Sequence, residues 1–261
     1  VDKQSPACRG SFTFTLKHPE LWWPSGHGEQ NQYTAVLQSF TTTGIADSLE
    51  QQTGFRRIKL VMNAGEWDRP EGLPATQKRI PITIEINGRR IFAKGSNWVP
   101  PDFFIANMTE EVYLEQLRLV KEAHMNMLRV WGGGYINREA FYTLCDQLGI
   151  LVWQEFPLAC ANYPDDEDYL SVLEQESVSI IKRLRRHPCL ALWSGGNELF
   201  NEWSGMTNQS LALRLLEKNC YDLDRHTPFI ATSPLYGMGH GHYVMRADGQ
   251  EVLQIFRSKD Y

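Results

Sequence analysis

Long apolar runs, paired cysteines and an excess of positive charge are all missing from this sequence. No stretch of about eighteen consecutive apolar residues occurs, so nothing reads as a membrane-spanning helix. Lys and Arg number 26 against 31 Asp and Glu, a formal charge of -5 that argues against nucleic acid and anionic membranes as partners. There is no CxxC. The five cysteines, Cys8, Cys145, Cys160, Cys189 and Cys220, are odd in number, and three lie in apolar helix or strand contexts. Free Cys packs there as a small hydrophobe, so buried thiols are expected rather than a disulfide framework or a zinc site. The first residues, Val1-Asp2-Lys3-Gln4, are neither an initiator methionine nor a signal peptide. They read as a cut inside a longer protein, which leaves the compartment open.

What is present fits a globular chain. Its 261 residues are 42 % apolar, enough for one large domain or two modest ones. Residues 1 to about 63 carry period-two patterns in Ser11–Leu16, in parts of Tyr33–Phe40 and in Gly54–Val61, separated by Gly, Pro and Ser, which mark a half-buried antiparallel sheet. Residues 64–92 begin with a stretch rich in Gly, Pro and charge. They end in Ile82–Ile86, Asn87-Gly88 and Arg89–Phe92, a strong two-residue hairpin signal.

From about residue 93 the pattern becomes strand, helix, strand. Strands are expected at Lys94–Trp98, Asn126–Trp131, Ile150–Trp153, Cys189–Ser194 and Phe229–Ser233. Thr109 can cap a helix with Tyr113, Leu117, Val120 and His124 on one face, and Asn137 can cap the next, which Gly149 closes in a left-handed conformation. Further helices are expected from Glu167 to Arg186 and from Gln209 to Leu223. Repeating β-α units mean a parallel sheet. The residues after Lys94 are too few for a complete eight-stranded barrel of roughly 250 residues. Either the sheet is an open one of five or six strands, or the chain stops inside a barrel.

One segment stands out chemically. Leu190-Ala191-Leu192-Trp193-Ser194 is fit for a buried strand and ends in Gly195-Gly196-Asn197-Glu198. The C-terminal mouth of a parallel strand is where an α/β barrel keeps its chemistry, although an Asn-Glu pair can also simply cap a strand end. Strand alternation puts Arg129 and Trp131 on one face, and Leu151, Trp153 and Glu155 on one face of the next strand. Arg129, Glu155 and Glu198 are therefore candidates to converge at the strand ends, with a structural Arg129–Glu155 ion pair as the alternative. Trp131-Gly132-Gly133-Gly134 lacks the spacing of a nucleotide loop, and its glycines suit open space under an aromatic platform. Eight Trp and ten Tyr, several at strand ends, suit stacking on sugars as well as core packing. His240-Gly241-His242 reads as a plain loop rather than a metal site.

Taken in order, Leu21-Trp22-Trp23-Pro24, Gly54-Phe55-Arg56, Ile86-Asn87-Gly88, Lys94–Pro100, Leu128–Gly134, Leu148–Phe156, Arg186-His187-Pro188 and Leu192–Glu198 cover almost the whole chain. With these segments the chain resembles the β-mannosidase branch of glycoside hydrolase family 2. The resemblance implies an α/β fold: an incomplete (β/α)8 TIM barrel of about five β-α units in residues 93–261. It is preceded by the C-terminal part of an immunoglobulin-like β-sandwich in residues 1–63, with 64–92 as linker and hairpin.

The resemblance also implies roles. Glu198 matches the family's general acid/base, Asn197 the residue that bonds the sugar 2-hydroxyl, and Trp131 the aromatic lining the terminal-sugar subsite. Asn97, Trp98, Glu155 and Trp203 match positions near the pocket, and Arg129 joins them as a candidate substrate-binding residue. Gly195-Gly196 departs from the Gly-Asn or Asn-Asn commoner at this place, which keeps β-glucosaminide- and β-galactoside-cleaving relatives open.

The implied reaction is retaining, with a nucleophilic carboxylate and an acid/base about 5–5.5 Å apart. It needs no metal and no organic cofactor. The family's Glu-Phe-Gly or Glu-Tyr-Gly nucleophile motif is absent between Glu198 and Tyr261, and Glu251 has the wrong context. The nucleophile is therefore expected beyond Tyr261, and the chain is read as a fragment, inactive alone, of an enzyme that removes terminal sugars from an oligosaccharide or glycoside. A non-catalytic carbohydrate-binding protein on the same fold is the alternative. A half-barrel leaves strand edges and apolar helix faces uncovered, which opens a route to homodimerisation through those edges.

Overall fold

The computed structural model describes residue 13, residues 15–63 and 82–235, and the backbone of two short strands, Arg246–Ala247 and Gln250–Glu251. The first part is antiparallel. Strands β1 (Tyr33–Thr41) and β2 (Gly44–Thr53) form a ribbon, and β3 (Ile58–Met62), β4 (Ile82–Ile86) and β5 (Arg89–Ile91) form a three-stranded sheet. Asn87 and Gly88 both have positive φ, 51° and 84°, as the tight turn between β4 and β5 demands. Asn87 also accepts from the Arg57 amide at 2.8 Å and donates to the Trp22 carbonyl at 3.0 Å, so the turn residue ties three segments together. The ribbon differs from the expected half-buried sheet: Val36, Leu37, Phe40, Ile45 and Leu49 are all exposed. Of the strand expected over Ser11–Leu16, Thr13, Thr15 and Leu16 are described and lie outside any strand, and the other three residues fall outside the described residues.

The second part is a parallel sheet wrapped by helices. Strand β6 (Gly95–Trp98) leads through a short 3-10 turn to α1 (Glu110–Glu122). Then follow β7 (Met127–Val130), α2 (Glu139–Leu148), β8 (Leu151–Glu155), α3 (Glu167–Leu184), β9 (Leu190–Ser194), α4 (Leu211–Asp224) and β10 (Phe229–Ile230). The strand order is β10-β9-β8-β7-β6, the order of the chain itself. A doubly wound sheet reverses its order at a switch point, whereas a barrel adds each strand beside the last. The sheet is therefore an arc of a barrel and not an open α/β sheet.

Register decides which side chains face inward. Asn97 pairs with Arg129 and Arg129 with Trp153, while Trp98 pairs with Val130 and Val130 with Gln154. The first set lines the concave face and the second meets the helices. Leu151 and Leu192 are fully buried on the concave side and Trp193 on the convex side. Each such apolar side chain contributes about 1.5–3 kcal/mol relative to exposure.

The helix boundaries follow local chemistry. Thr109 Oγ1 accepts from the Val112 amide at 3.4 Å, and Asp166 Oδ1 from the Tyr169 amide at 2.9 Å. Gly149 closes α2 at φ 74°, as expected. Two expectations fail. His124 is not on the α1 face: the helix ends at Glu122, and His124 sits at φ 59° in a closing turn where Met125 N donates to Val120 O. Asn137 does not cap α2. Its side chain is drawn inward and accepts from Trp98 Nε1 and from the Tyr113 hydroxyl, each at 3.3 Å, leaving Arg138 at the cap without a side-chain bond.

The antiparallel part seals the N-terminal ends of the barrel strands. Trp22 is fully buried and its indole donates to Asp146 O at 2.8 Å, while Ser25 N donates to Gly149 O at 2.8 Å. Arg56 donates from Nε to Pro188 O at 3.0 Å and from Nη2 to Leu190 O. Beside it, buried His187 lies between Asp146, 2.6 Å from its Nδ1, and Glu139, 2.8 Å from its Nε2. Burial works against the charged ring, but the hydrogen bonds to Asp146 and Glu139 and their charges outweigh it and raise the His187 pKa above the ordinary 6.5. A raised folded-state value means that this stabilisation is complete below the unfolded pKa and fades as pH rises through the folded one. Thermal melts of the wild type and His187→Gln, followed from pH 6 to pH 9, are therefore expected to differ most at the acid end and to converge at the alkaline end.

Candidate active site

The C-terminal ends of β6 to β10 converge on one ion pair. Arg129 and Glu155 face each other through two parallel hydrogen bonds, Nε to Oε1 at 3.0 Å and Nη2 to Oε2 at 2.8 Å, with both side chains almost wholly out of solvent. Glu155 Oε1 also accepts from the Ser233 hydroxyl at 2.5 Å and the Ser194 hydroxyl at 3.4 Å, and Oε2 from the Gly132 amide at 2.8 Å. A buried carboxylate is tolerated only when its lone pairs are met in this way. Arg129 also donates to Asn97 Oδ1 at 2.9 Å and to Asn197 Oδ1 at 2.5 Å, and its guanidinium lies 5.7 Å from the Trp153 ring centre.

The Arg129 contact settles which way the Asn197 amide points. With Oδ1 held by the guanidinium, the NH2 group is turned outward, where it donates to Cys160 Sγ at 3.2 Å. An amide NH2 carries two donors, so one remains to address a ligand. The main chain of Asn197-Glu198 is pinned on both sides: Asn197 N donates to Leu158 O at 2.9 Å and Glu198 N to Ser233 O at 2.7 Å. Glu198 is held at φ 55°, a left-handed conformation uncommon outside glycine, and strain of this kind concentrates at functional sites. Its half-buried side chain faces the mouth of the arc, where Oε2 accepts from Asn201 Nδ2 at 3.1 Å and lies 3.7 Å from Cys160 Sγ.

The glycines before this pair have a packing reason. A Cβ on Gly195 would lie 2.2 Å from Ala231 O, and one on Gly196, at φ 155°, 2.4 Å from Leu158 O. The neighbouring strands close in until only hydrogen fits. The triple glycine after Trp131 behaves likewise and does not provide open space. A Cβ on Gly133 would strike the Trp131 ring at 2.1 Å, because the half-buried indole folds back over its own loop.

Of the expected site residues, Glu198, Asn197, Arg129, Glu155 and Asn97 are joined in one network, and Trp131 stands in the loop that supplies the Gly132 amide. Trp98 is not with them. It points to the helix side, 4.8 Å from Phe141 and 6.3 Å from Tyr113 between ring centres. Trp203 lies 68 % exposed in the loop after Glu198. Ser233, Asn201 and Cys160 belong to the site without having been anticipated. They come from loops without a motif, and only the third dimension brings them to the carboxylates. His240, His242 and the side chain of Glu251 lie outside the described residues.

Together these features define an α/β-barrel protein with carboxylates gathered at the strand C-termini. Comparison with known proteins takes that class further. Residues 82–226 match the family described as glycosyl hydrolases family 2, TIM barrel domain, and residues 1–56 match glycosyl hydrolases family 2. The chain belongs to glycosyl hydrolases family 2.

It is 34 % identical over 249 residues to the beta-mannosidase B of Thermothelomyces thermophilus, covering 88 % of this chain and 28 % of that protein. It is 39 % identical over 179 residues to the beta-mannosidase of Capra hircus, covering 69 % of this chain and 19 % of that protein. The crystal structure of the beta-D-mannosidase from Dictyoglomus thermophilum superposes with a TM-score of 0.71 at 37 % identity, over 85 % of this chain and 27 % of that one. The chain thus spans less than a third of the length of these relatives.

Removing one member of a buried ion pair leaves the other charge stranded, at a cost of about 3–5 kcal/mol. Glu155→Gln is expected to lower the unfolding free energy in urea by about 3 kcal/mol, the low end of that range, since Gln retains one acceptor.

Proposed function

We propose that the chain is the acid/base-bearing part of a retaining exo-β-glycosidase, a β-mannosidase, that removes terminal non-reducing β-linked sugars. The observation that carries this reading is the orientation of Asn197-Glu198. A carboxyl at the mouth stands beside an amide whose NH2 is turned outward by Arg129. Glu198 is the proton donor to the leaving glycosidic oxygen and then the base that activates water. The remaining Asn197 N–H is directed to the sugar 2-hydroxyl, a contact of the kind that strengthens as charge develops at the anomeric carbon. Trp131 forms the wall of the terminal-sugar subsite, and Arg129, Glu155 and Asn97 hold the pair in place from below. The names of the most similar relatives support the mannoside.

Glu155 is an unsuitable nucleophile, because both its oxygens are engaged by Arg129 and by hydroxyl and amide donors. The second carboxylate is assigned to residues beyond Tyr261, and the domain division at residues 63 and 92 belongs to the same reading.

The test is a panel of aryl β-glycosides on the full-length protein. The β-mannoside is expected to be the best substrate, and Glu198→Gln to lower kcat/KM by about 10²–10⁴ on substrates whose leaving group needs a proton. The loss is expected to shrink as the leaving group becomes more acidic. The 261 residues alone are expected to turn over none of the panel, and turnover that Glu198→Gln abolishes would place the nucleophile within them. A glucosaminide or galactoside preferred over the mannoside would redirect the specificity within the family.

Among the described residues, β6 and β10 are the edges of the parallel sheet. Val99, Phe103, Phe104 and Leu119 are exposed in the segments that flank β6. Association through these edges is expected, and a concentration-independent monomer in sedimentation would count against it.

A further inference from the structure

We propose that Cys160 is a positioning residue for Glu198, the last link in a hydrogen-bonded chain that runs from the buried Arg129–Glu155 pair to the carboxyl at the mouth. The inference rests on the acid/base reading of Glu198 given above and adds to it the group that aims the carboxyl.

The geometry is continuous. Glu155 fixes the guanidinium, and Arg129 Nη2 holds Asn197 Oδ1 at 2.5 Å. The opposite end of that amide donates to Cys160 Sγ at 3.2 Å, and the thiol in turn points its hydrogen at Glu198 Oε2, 3.7 Å away. A second contact supports the first, because Cys160 N donates to Asn197 O at 2.9 Å. Backbone and side chain of one residue therefore both grip the Asn-Glu turn. Cys160 is itself held at φ 50°, in the left-handed region.

Glu198 needs such a guide. Its main chain is fixed by Glu198 N to Ser233 O at 2.7 Å and by Ser204 Oγ donating to Glu198 O at 2.7 Å, but neither bond orients the carboxyl. Oε2 accepts from Asn201 Nδ2 on one side and faces Cys160 Sγ on the other, and both contacts bear on the orientation of the carboxyl. Asn201 moves with the same loop as Glu198. Cys160 comes from the loop after β8 and ties the carboxyl to that strand end.

The thiol is unlike the other described cysteines. Cys145, Cys189 and Cys220 are buried, whereas Cys160 is exposed. Its pKa is raised, first by the partial burial of the sulfur and then by the nearby carboxylates of Glu198 and Glu155, against the Asn197 hydrogen bond that lowers it. Among the described residues the titratable groups facing it are those two carboxylates, and Arg129 is linked to it through Asn197. The thiol therefore stays protonated at neutral pH and remains a donor.

Two measurements test this. The first reads the contact in the 261-residue chain without any activity. Iodoacetamide alkylation of Cys160, followed by peptide mass to separate it from Cys8, is measured against pH in the wild type and in Glu198→Gln. Removing the carboxylate is expected to move the alkylation profile to lower pH and to speed the reaction at neutral pH roughly tenfold, because the thiolate is the reactive form. Superimposable profiles overturn the proposal.

The second reads its consequence in the full-length enzyme. Cys160→Ala is expected to lower kcat on an aryl β-mannoside roughly tenfold, the effect of a slightly misaimed group, with KM little changed. Cys160→Ser, which keeps a donor, is expected to recover most of the loss. If Glu198→Gln is inactive while Cys160→Ala retains full kcat, the positioning role is wrong and the acid/base reading stands. If Cys160→Ala raises KM alone, Cys160 is a ligand contact and the proposal is likewise overturned. If Glu198→Gln keeps full activity, the acid/base reading falls and takes the positioning role with it.

Discussion

Everything at the mouth of this barrel arc depends on keeping one charge pair out of water. Arg129 and Glu155 sit on neighbouring strands, β7 and β8, where the parallel register brings their side chains to the same concave face. Desolvating two charges is unfavourable unless each is fully met by partners. That requirement recruits Ser194 and Ser233 from two further strand ends, the Gly132 amide from the loop after β7, and Asn97 and Asn197 from the outermost and next-to-last strands. Satisfying the pair thus fixes how the strand ends sit relative to one another. The Asn197-Glu198 turn inherits its geometry from that arrangement, and with it the direction of the amide.

Much of the framework was legible because it is written in local chemistry. Parallel strands buried on both faces read as largely apolar runs, and β7, β8 and β9 lie where those runs are. Asn87-Gly88 and Gly149 are read from backbone conformations that few other residues adopt. The concave face of β7 and β8 followed from alternation alone. The segments shared with the family, in order along the chain, then distinguished a barrel from an open sheet before the strand order did.

What was not legible is tertiary in origin. Asn137 stands at a sound capping position, yet a buried indole and a buried phenol beside it claim its side chain, and satisfying them outweighs the cap. His124 has a helical spacing to Leu117 and Val120, but the turn into β7 needs a left-handed residue there. Trp98 lies one residue from Asn97, and a shift of one along a strand exchanges the barrel interior for the helix layer. The glycines after Trp131, read as open space under an aromatic platform, are instead closed off by the Trp131 ring, Pro100 and neighbouring backbone. Cys160 and Asn201 come from irregular loops whose approach to Glu198 no periodicity foretells.

The sealing of the lower end of the strands has a consequence for how the molecule is assembled. Trp22 reaches Asp146 across 124 residues of chain, and Arg56 reaches Leu190 across 134. The carbonyls at the end of α2 and the base of β9 are therefore satisfied by chain synthesised long before those elements themselves. Closing spans of that length is entropically slow, and topologies rich in such contacts fold slowly. On the ribosome the antiparallel part emerges first and can serve as the platform on which the arc is laid down. The order of the domains along the gene then doubles as an order of construction.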